Sequence, residues 1–271
     1  MAVPNPWSAP VYCRETVTST MDEARLLARA GAPHGAVIAA SYQERGRGRT
    51  RERSWRGDAG KNLYFTILFR FEGGVIPEAL TLRTGLAVSL AVEDYEPALK
   101  GRVRVKWPND IMILTRGETA VSARKAAGIL TESDGTFVYT GVGINVAQTA
   151  FPADLEKKAT SIVLARSEAD GPAPAPENKA EDTGFLLGLV LRRLYGELSG
   201  GGKDWRARIG ERLYRRGEPV KFLAGAADRP REYGGVLEGV GAGGELLLAL
   251  PGETSARAFI TGELAVYDTP G

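Results

Sequence analysis

Arg45, Arg47, Arg49, Arg51 and Arg53 occupy every second position of one short stretch, with Gly46 and Gly48 between the first three. From Tyr42 to Arg56, six arginines against two glutamates leave a net +4, whereas the whole chain carries only +2. Guanidinium forks match phosphate and carboxylate oxygens in pairs, and glycine lets a backbone approach a ligand closely. The chemistry these residues offer is the holding of a small phosphorylated anion.

Three further segments place polar residues inside otherwise apolar runs. In KWPND, Lys106 to Asp110, Pro108 ends the preceding strand because it cannot donate to a ladder. Asn109 and Asp110 are then expected on a turn, facing a pocket or closing a simple Asx turn. In KAAGIL, Lys125 to Leu130, a lysine is expected to start a strand, with small neighbours Ala126, Ala127 and Gly128 that allow close approach of a ligand. In GVGIN, Gly141 to Asn145, two glycines precede an amide; a ligand floor or a structural bulge accounts for them equally.

The elements that must position these residues follow from periodicity. Strands are expected at Val11–Val17, Ala36–Ser41, Asn62–Arg70, Arg102–Lys106, Ile111–Leu114, Arg124–Glu132 and Phe137–Val146. Helices are expected at Met21–Ala30, from Pro77 to Tyr95, at Thr183–Leu198 and at Trp205–Leu213. Ser19 or Thr20 can cap the first of these, and Glu23 stands where a capping box begun at Thr20 would need it. The strands come in runs, which predicts an α+β protein with a mixed or antiparallel sheet and flanking helices. Arg166–Asp182, rich in Ala, Pro and acidic residues, reads as a surface loop. The last fifty-odd residues are short strands separated by glycines, the pattern of a small closed or nearly closed β-barrel. The expected domains are therefore 1–213 and 214–271.

Composition bounds the rest. The chain has 271 residues, 43% hydrophobic and 25% charged, as an ordinary globular protein has. Cys13 is the one cysteine, so no internal disulfide forms, and with His34 the one histidine there is no set for structural zinc. His34 lies in a turn-like APHG segment and reads as a surface residue. No apolar stretch reaches the roughly 20 residues of a bilayer span, and no secretory signal is evident. A cytoplasmic location is expected, without membrane association.

Taken together, GRGR at Gly46–Arg49, KWPND, the lysine before AGIL and GVGIN resemble the biotin–protein ligases, in that family's order. Thr18–Ala24 (TSTMDEA) is similar to the family's biotin-contacting turn, and ATSI at Ala159–Ile162 and the FITGELAV terminus also fit. The resemblance spans about residues 11 to 269. It implies a catalytic core like that of class II aminoacyl-tRNA synthetases and an SH3-like terminal barrel. It also implies that biotin and ATP form biotinyl-5′-AMP, whose acyl group passes to a lysine of a biotin carboxyl carrier protein, with Mg2+ accompanying the triphosphate.

By that resemblance Arg47, Lys125 and Asp110 are the catalytic residues, Asp110 orienting or deprotonating the acceptor lysine. Biotin would be held by Ser19, Thr20, Met21, Gln43, Gly46, Arg47, Gly48, Arg49, Lys125, Gly128, Gly141 and Gly143. The nucleotide would be held by Arg49, Arg53, Trp55, Lys106, Asn109, Lys125 and Asn145, with no protein-borne metal site. Met21 departs from the family's usual Asn, and the connection from Leu114 to Lys125 is longer than usual. About ten residues precede the first strand, too few for the DNA-binding module of some members, so a ligase without nucleic-acid partners is expected, as monomer or homodimer. The alternatives are a lipoate–protein ligase, which shares fold and adenylation chemistry, and a nucleic-acid-binding module, which the net charge of +2 disfavours.

Overall fold

A computed structural model describes residues 3–49, 54–55, 57–116, 121–170, 182–200, 202–225 and 230–265. Among them run β1 (Val11–Val17), α1 (Thr20–Arg29), β2 (Ala36–Gln43), β3 (Gly46–Arg47), β4 (Ser54–Trp55), β5 (Asn62–Phe69) and α2 (Leu80–Tyr95). β6 (Val103–Lys106), β7 (Asp110–Arg116), β8 (Val121–Ser133), β9 (Val138–Asn145), α3 (Ile162–Asp170), α4 (Thr183–Leu198) and α5 (Trp205–Arg212) follow. The chain closes with β10 (Pro219–Ala224), β11 (Arg231–Val240), β12 (Leu246–Ala249), β13 (Arg257–Phe259) and β14 (Gly262–Leu264).

The larger sheet has seven strands in the order β1-β2-β5-β9-β8-β7-β6. Only the β1–β2 pair is parallel; the other five pairs are antiparallel. The mixed α+β architecture expected from the runs of strands is therefore present. Side chains alternate across the sheet. On one face Phe65, Ile67, Val142, Ile144 and Ile113 join α2 and α4 in the main core. On the other, Leu68 and Tyr139 pack with Met21, Ala24 and Ala28 of α1. A second sheet, ordered β13-β12-β11-β10-β14, is antiparallel throughout. Its Phe222, Leu237 and Leu246 belong to the same continuous apolar cluster as α2. Trp107 joins the two parts: its indole N–H donates to Gly244 O at 2.9 Å and its ring packs edge-on to Phe222.

Several expectations need correction. Ser19 caps α1, accepting from the Met21 N–H, so Glu23 lies one residue beyond the capping-box position. The hydroxyl of Thr20 is used elsewhere, as described below. α2 begins at Leu80, not Pro77, because Ala79 sits at φ 52° where the chain meets the second sheet. A Cβ on Gly244 would lie 2.9 Å from the Ala79 Cβ, so that docking sets the helix start. The stretch expected as a loop from Arg166 is helical through Asp170. Tertiary anchors decide this: Arg166 pairs with Glu96 at 3.5 Å, Arg124 with Glu168 at 3.0 Å, and Ser161 caps the first turn through the Leu164 N–H. The remainder of that loop, residues 171–181, lies outside the described residues. His34 is structural: its Nδ1 accepts from the Arg70 N–H at 3.1 Å, and its ring packs on Phe69 and Phe71.

Candidate active site

A cavity of about 700 Å³ opens on the α1 face of the large sheet. Its floor is β9. Gly141 and Gly143 present no side chains there, and the strand pairs without interruption with both β5 and β8. The bulge considered for GVGIN is absent. A bulge lies instead between β7 and β8, where Ile111 faces Ala127 but Met112 faces Lys125. The extra residue, Ala126, has a consequence. Three positions apart in a regular strand, Lys125 and Gly128 would point to opposite faces; the bulge returns both to the cavity. Lys125 is thus in mid-strand, not at its start. Its backbone is pinned on the far side, where Lys125 N–H donates to Lys158 O at 2.8 Å and Thr160 N–H to Lys125 O at 2.9 Å.

Lys125 Nζ stands 2.6 Å from Asp110 Oδ1 and 5.3 Å from the centre of the Trp55 ring. The buried Lys106 lies 3.9 Å from Asp110 Oδ2 and 3.9 Å from Glu263 Oε1 of β14. Glu263 also stands 3.9 Å from Arg49, so the second sheet reaches the arginine segment. Asp110 opens β7 instead of lying on the turn. Asn109 does lie on the turn, but its amide donates to Ile129 O at 2.9 Å and ties the β6–β7 hairpin to β8. The Asn145 amide donates to Thr160 O at 3.0 Å. Both asparagines line the cavity with their donors partly committed.

The arginine segment begins as a two-stranded ribbon, with Gly46 opposite Trp55 and Arg47 opposite Ser54. A Cβ on Gly46 would lie 2.6 Å from the Trp55 carbonyl oxygen, so glycine permits the pairing. Trp55 lies across the glycines of the floor: a Cβ on Gly128 would come 2.8 Å from its ring and one on Gly143 2.9 Å. Arg47 is ion-paired with Asp22 in the first turn of α1, and Arg25 holds the same carboxylate at 3.3 Å. Behind the ribbon, a second cavity lined by Tyr42, Gly46, Asp58 and Gln148 shares Trp55 with the first. Nearby, burial pushes the Tyr64 phenol up to about 12.

At the opposite end of the cavity, the Thr20 N–H and hydroxyl both donate to Gln43 Oε1, at 2.8 and 3.0 Å. The buried Thr66 hydroxyl donates to Thr20 Oγ1 at 2.9 Å. Ser19, Thr20, Met21, Gln43, Arg47, Gly48, Arg49, Trp55, Lys106, Asn109, Asp110, Lys125, Gly128, Gly141, Gly143 and Asn145 all line this one cavity. Gly46 lines the second, and Arg53 lies outside the described residues. Sequence reasoning missed Thr66, Asp22, Met112 and Glu263. Thr66 was visible as the one hydroxyl within the apolar run LYFTILF; the others carried no local signal.

The arrangement gathers several cations at one end of a deep slot and a neutral hydrogen-bonding network at the other. Residues 11–148 match the model of the biotin/lipoate A/B protein ligase family, and the chain belongs to that family. The bifunctional ligase/repressor BirA of Bacillus subtilis is 33% identical over 162 residues, covering 57% of this chain and 46% of that protein. The biotin–[acetyl-CoA-carboxylase] ligase of Mycobacterium tuberculosis is 35% identical over 145 residues, covering 52% of this chain and 50% of that protein. The chain thus spans about half the length of the curated relatives it matches. The biotin protein ligase of Aquifex aeolicus, solved with biotin and ATP, superposes with a TM-score of 0.69 at 25% identity, over 94% of this chain and 97% of that one. Among the described residues no helix is long and apolar enough to cross a membrane.

Proposed function

We propose that the protein is an ATP-dependent biotin–protein ligase, joining biotin to a lysine of a biotin carboxyl carrier domain such as that of acetyl-CoA carboxylase. The observation that carries this reading is the polarity of the slot. Lys125 and Arg49 stand at one end, and the Ser19–Thr20–Gln43 network stands at the other.

Bound lengthwise, biotin places its ureido ring on that network, its tail along the Gly141–Gly143 floor, and its carboxylate beside Lys125. A carboxylate oxygen attacks the α-phosphorus of ATP while the bond to pyrophosphate breaks. Two anions must approach one another, so the main contribution of the protein is fixed positive charge. Lys125, held by Asp110, supplies a compact charge at the junction, and Arg47 and Arg49 close over it. Trp55 offers an aromatic face to the nucleotide, with Arg53, Lys106, Asn109 and Asn145 assigned to the same half. In the second step a carrier lysine amine attacks the acyl carbon and AMP leaves. Asp110 is the carboxylate placed to take the proton that the ammonium, pKa about 10.4 in water, must lose.

Mg2+ enters with the triphosphate. Among the described residues no three acidic, His or Cys side chains converge as a metal cage, which fits an ion held mainly by phosphate oxygens. The same reading takes the large sheet as a core like that of class II synthetases, the second sheet as an SH3-like barrel, and 213/214 as the domain division. It places the protein in the cytoplasm, as monomer or homodimer. Lipoate is disfavoured as substrate because its dithiolane offers nothing to the hydrogen-bonding end. The test is incubation with ATP, Mg2+ and biotin, following pyrophosphate exchange, and then mass gain by a carrier domain. Exchange with lipoate and not biotin would overturn the assignment.

A further inference from the structure

We propose that Thr66 sets the hydrogen-bond polarity of the neutral end of the cavity and so selects an acid bearing a cyclic urea. This inference deepens the biotin reading and rests on it. Thr66 is fully buried in β5, on the face of the sheet that carries the slot. A buried hydroxyl must place its proton, and this one donates to Thr20 Oγ1 at 2.9 Å.

The remaining directions follow from donor and acceptor inventories. The Thr20 N–H can only donate, so the Gln43 atom 2.8 Å from it is the carbonyl oxygen, and the Gln43 amide nitrogen points the other way. The Thr20 hydroxyl spends its proton on the same oxygen, at 3.0 Å. Toward the cavity Thr20 Oγ1 is therefore left as an acceptor, and Gln43 Nε2 as a donor. Ser19 Oγ accepts from the Met21 N–H at 3.3 Å, which leaves its own proton to donate.

The end wall thus presents one acceptor between two donors. Its complement is an N–H adjoining a carbonyl within a small ring, as in a cyclic urea. A dithiolane or a saturated tail has neither group. Thr66 holds the pattern in place: without its proton, Thr20 Oγ1 loses an incoming bond and its orientation becomes less defined. Gly141 keeps the wall open. A Cβ there would lie 3.1 Å from Met21 Cε and 3.4 Å from Thr66 Oγ1, where a side chain would crowd the slot. Thr66 is accordingly a positioning residue, acting through Thr20.

Pyrophosphate exchange by Thr66→Val and Thr66→Ser, with biotin, desthiobiotin and lipoate as acids, tests this. Valine should raise KM for both urea-bearing acids roughly ten-fold, the scale of one buried hydrogen bond in a coupled chain. Its kcat should stay within about two-fold, because the reacting carboxylate lies at the other end. The preference over lipoate should fall by the same factor, and serine should restore wild-type values. A KM for biotin unchanged in Thr66→Val, or a loss confined to kcat, overturns the proposal. Should the valine variant melt below the assay temperature, Thr66→Ala carries the same expectation. Failure of the wild type to exchange with biotin would instead sink the functional reading itself.

Discussion

Lys125 and Asp110 form the closest ion pair across the cavity, 2.6 Å between Nζ and Oδ1, and a single extra residue in β8 makes the pair possible. The pair couples stability to catalysis in a separable way. Lys125→Met leaves a mostly buried carboxylate without its nearest partner, at a cost of about 1–2 kcal/mol. Lys125→Met with Asp110→Asn should recover most of that loss in a urea melt. Neither variant should form adenylate. An additive double-mutant cycle would count against the pairing.

Arg47 behaves differently. Both it and Asp22 are nearly half-exposed, and an exposed ion pair contributes about 0–1 kcal/mol. Arg47→Ala should therefore melt within a few degrees of the wild type. Adenylate formation should fall by roughly 10²–10³-fold, as expected when charge stabilisation of a transition state is removed. A large drop in stability, with exchange retained, would show Arg47 to be structural.

Much of this site was legible in the sequence, because its parts are short and contiguous. GRGR, KWPND, KAAGIL and GVGIN each occupy one strand end or turn, and all four meet at the same cavity. What escaped is whatever depends on contacts between distant segments. The β8 bulge follows from pairing with β7, and Glu263 reaches Lys106 only because the second sheet docks on α2. The helical state of Arg166–Asp170 rests on ion pairs to Glu96 and Arg124, which composition does not reveal. Thr20 was read correctly as a hydrogen-bonding residue but wrongly as a possible cap, since Ser19 already fills that role.

The floor glycines give a spectroscopic prediction. Gly143→Ala would place a methyl 2.9 Å from the Trp55 ring, and Gly128→Ala one 2.8 Å from it. Neither residue has the positive φ that forbids a side chain, so the backbone tolerates both changes. The indole must move, shifting tryptophan fluorescence. ATP affinity should weaken about ten-fold or more with overall stability nearly preserved. An unchanged emission spectrum would place Trp55 elsewhere.

Far from the cavity, Gly35 has φ 81°, and a Cβ there would lie 2.2 Å from the Cβ of Trp7. Trp7 packs edge-on to both Phe69 and Tyr195, fastening the N-terminal segment over β5 and α4. Gly35→Ala should cost about 1–3 kcal/mol through backbone strain and overlap. The KM for biotin should not change.

Alkaline pH offers a further check. Burial raises Tyr64 from 10.0 to about 12, and burial first, then Asp134, does the same for Tyr139. A raised folded value means that the native state holds its proton more tightly than the unfolded chain. The associated stability is complete below about pH 10 and is lost as pH rises towards 12. Unfolding free energy should decline over that window, and Tyr64→Phe should remove part of the slope. A flat profile in the wild type would contradict the buried environment of these phenols.

The two bare positions of β9 bear on more than access. Elsewhere this sheet is sealed on both sides by its own side chains, Phe65, Val142 and Ile144 on one and Leu68 and Tyr139 on the other. At Gly141 and Gly143 that layer is left out, so the folded chain is built one tile short. Whatever occupies the slot completes the interior as a leucine would, and its departure unmakes part of it. Binding energy here is also folding energy, and melting temperature should report occupancy as faithfully as turnover does.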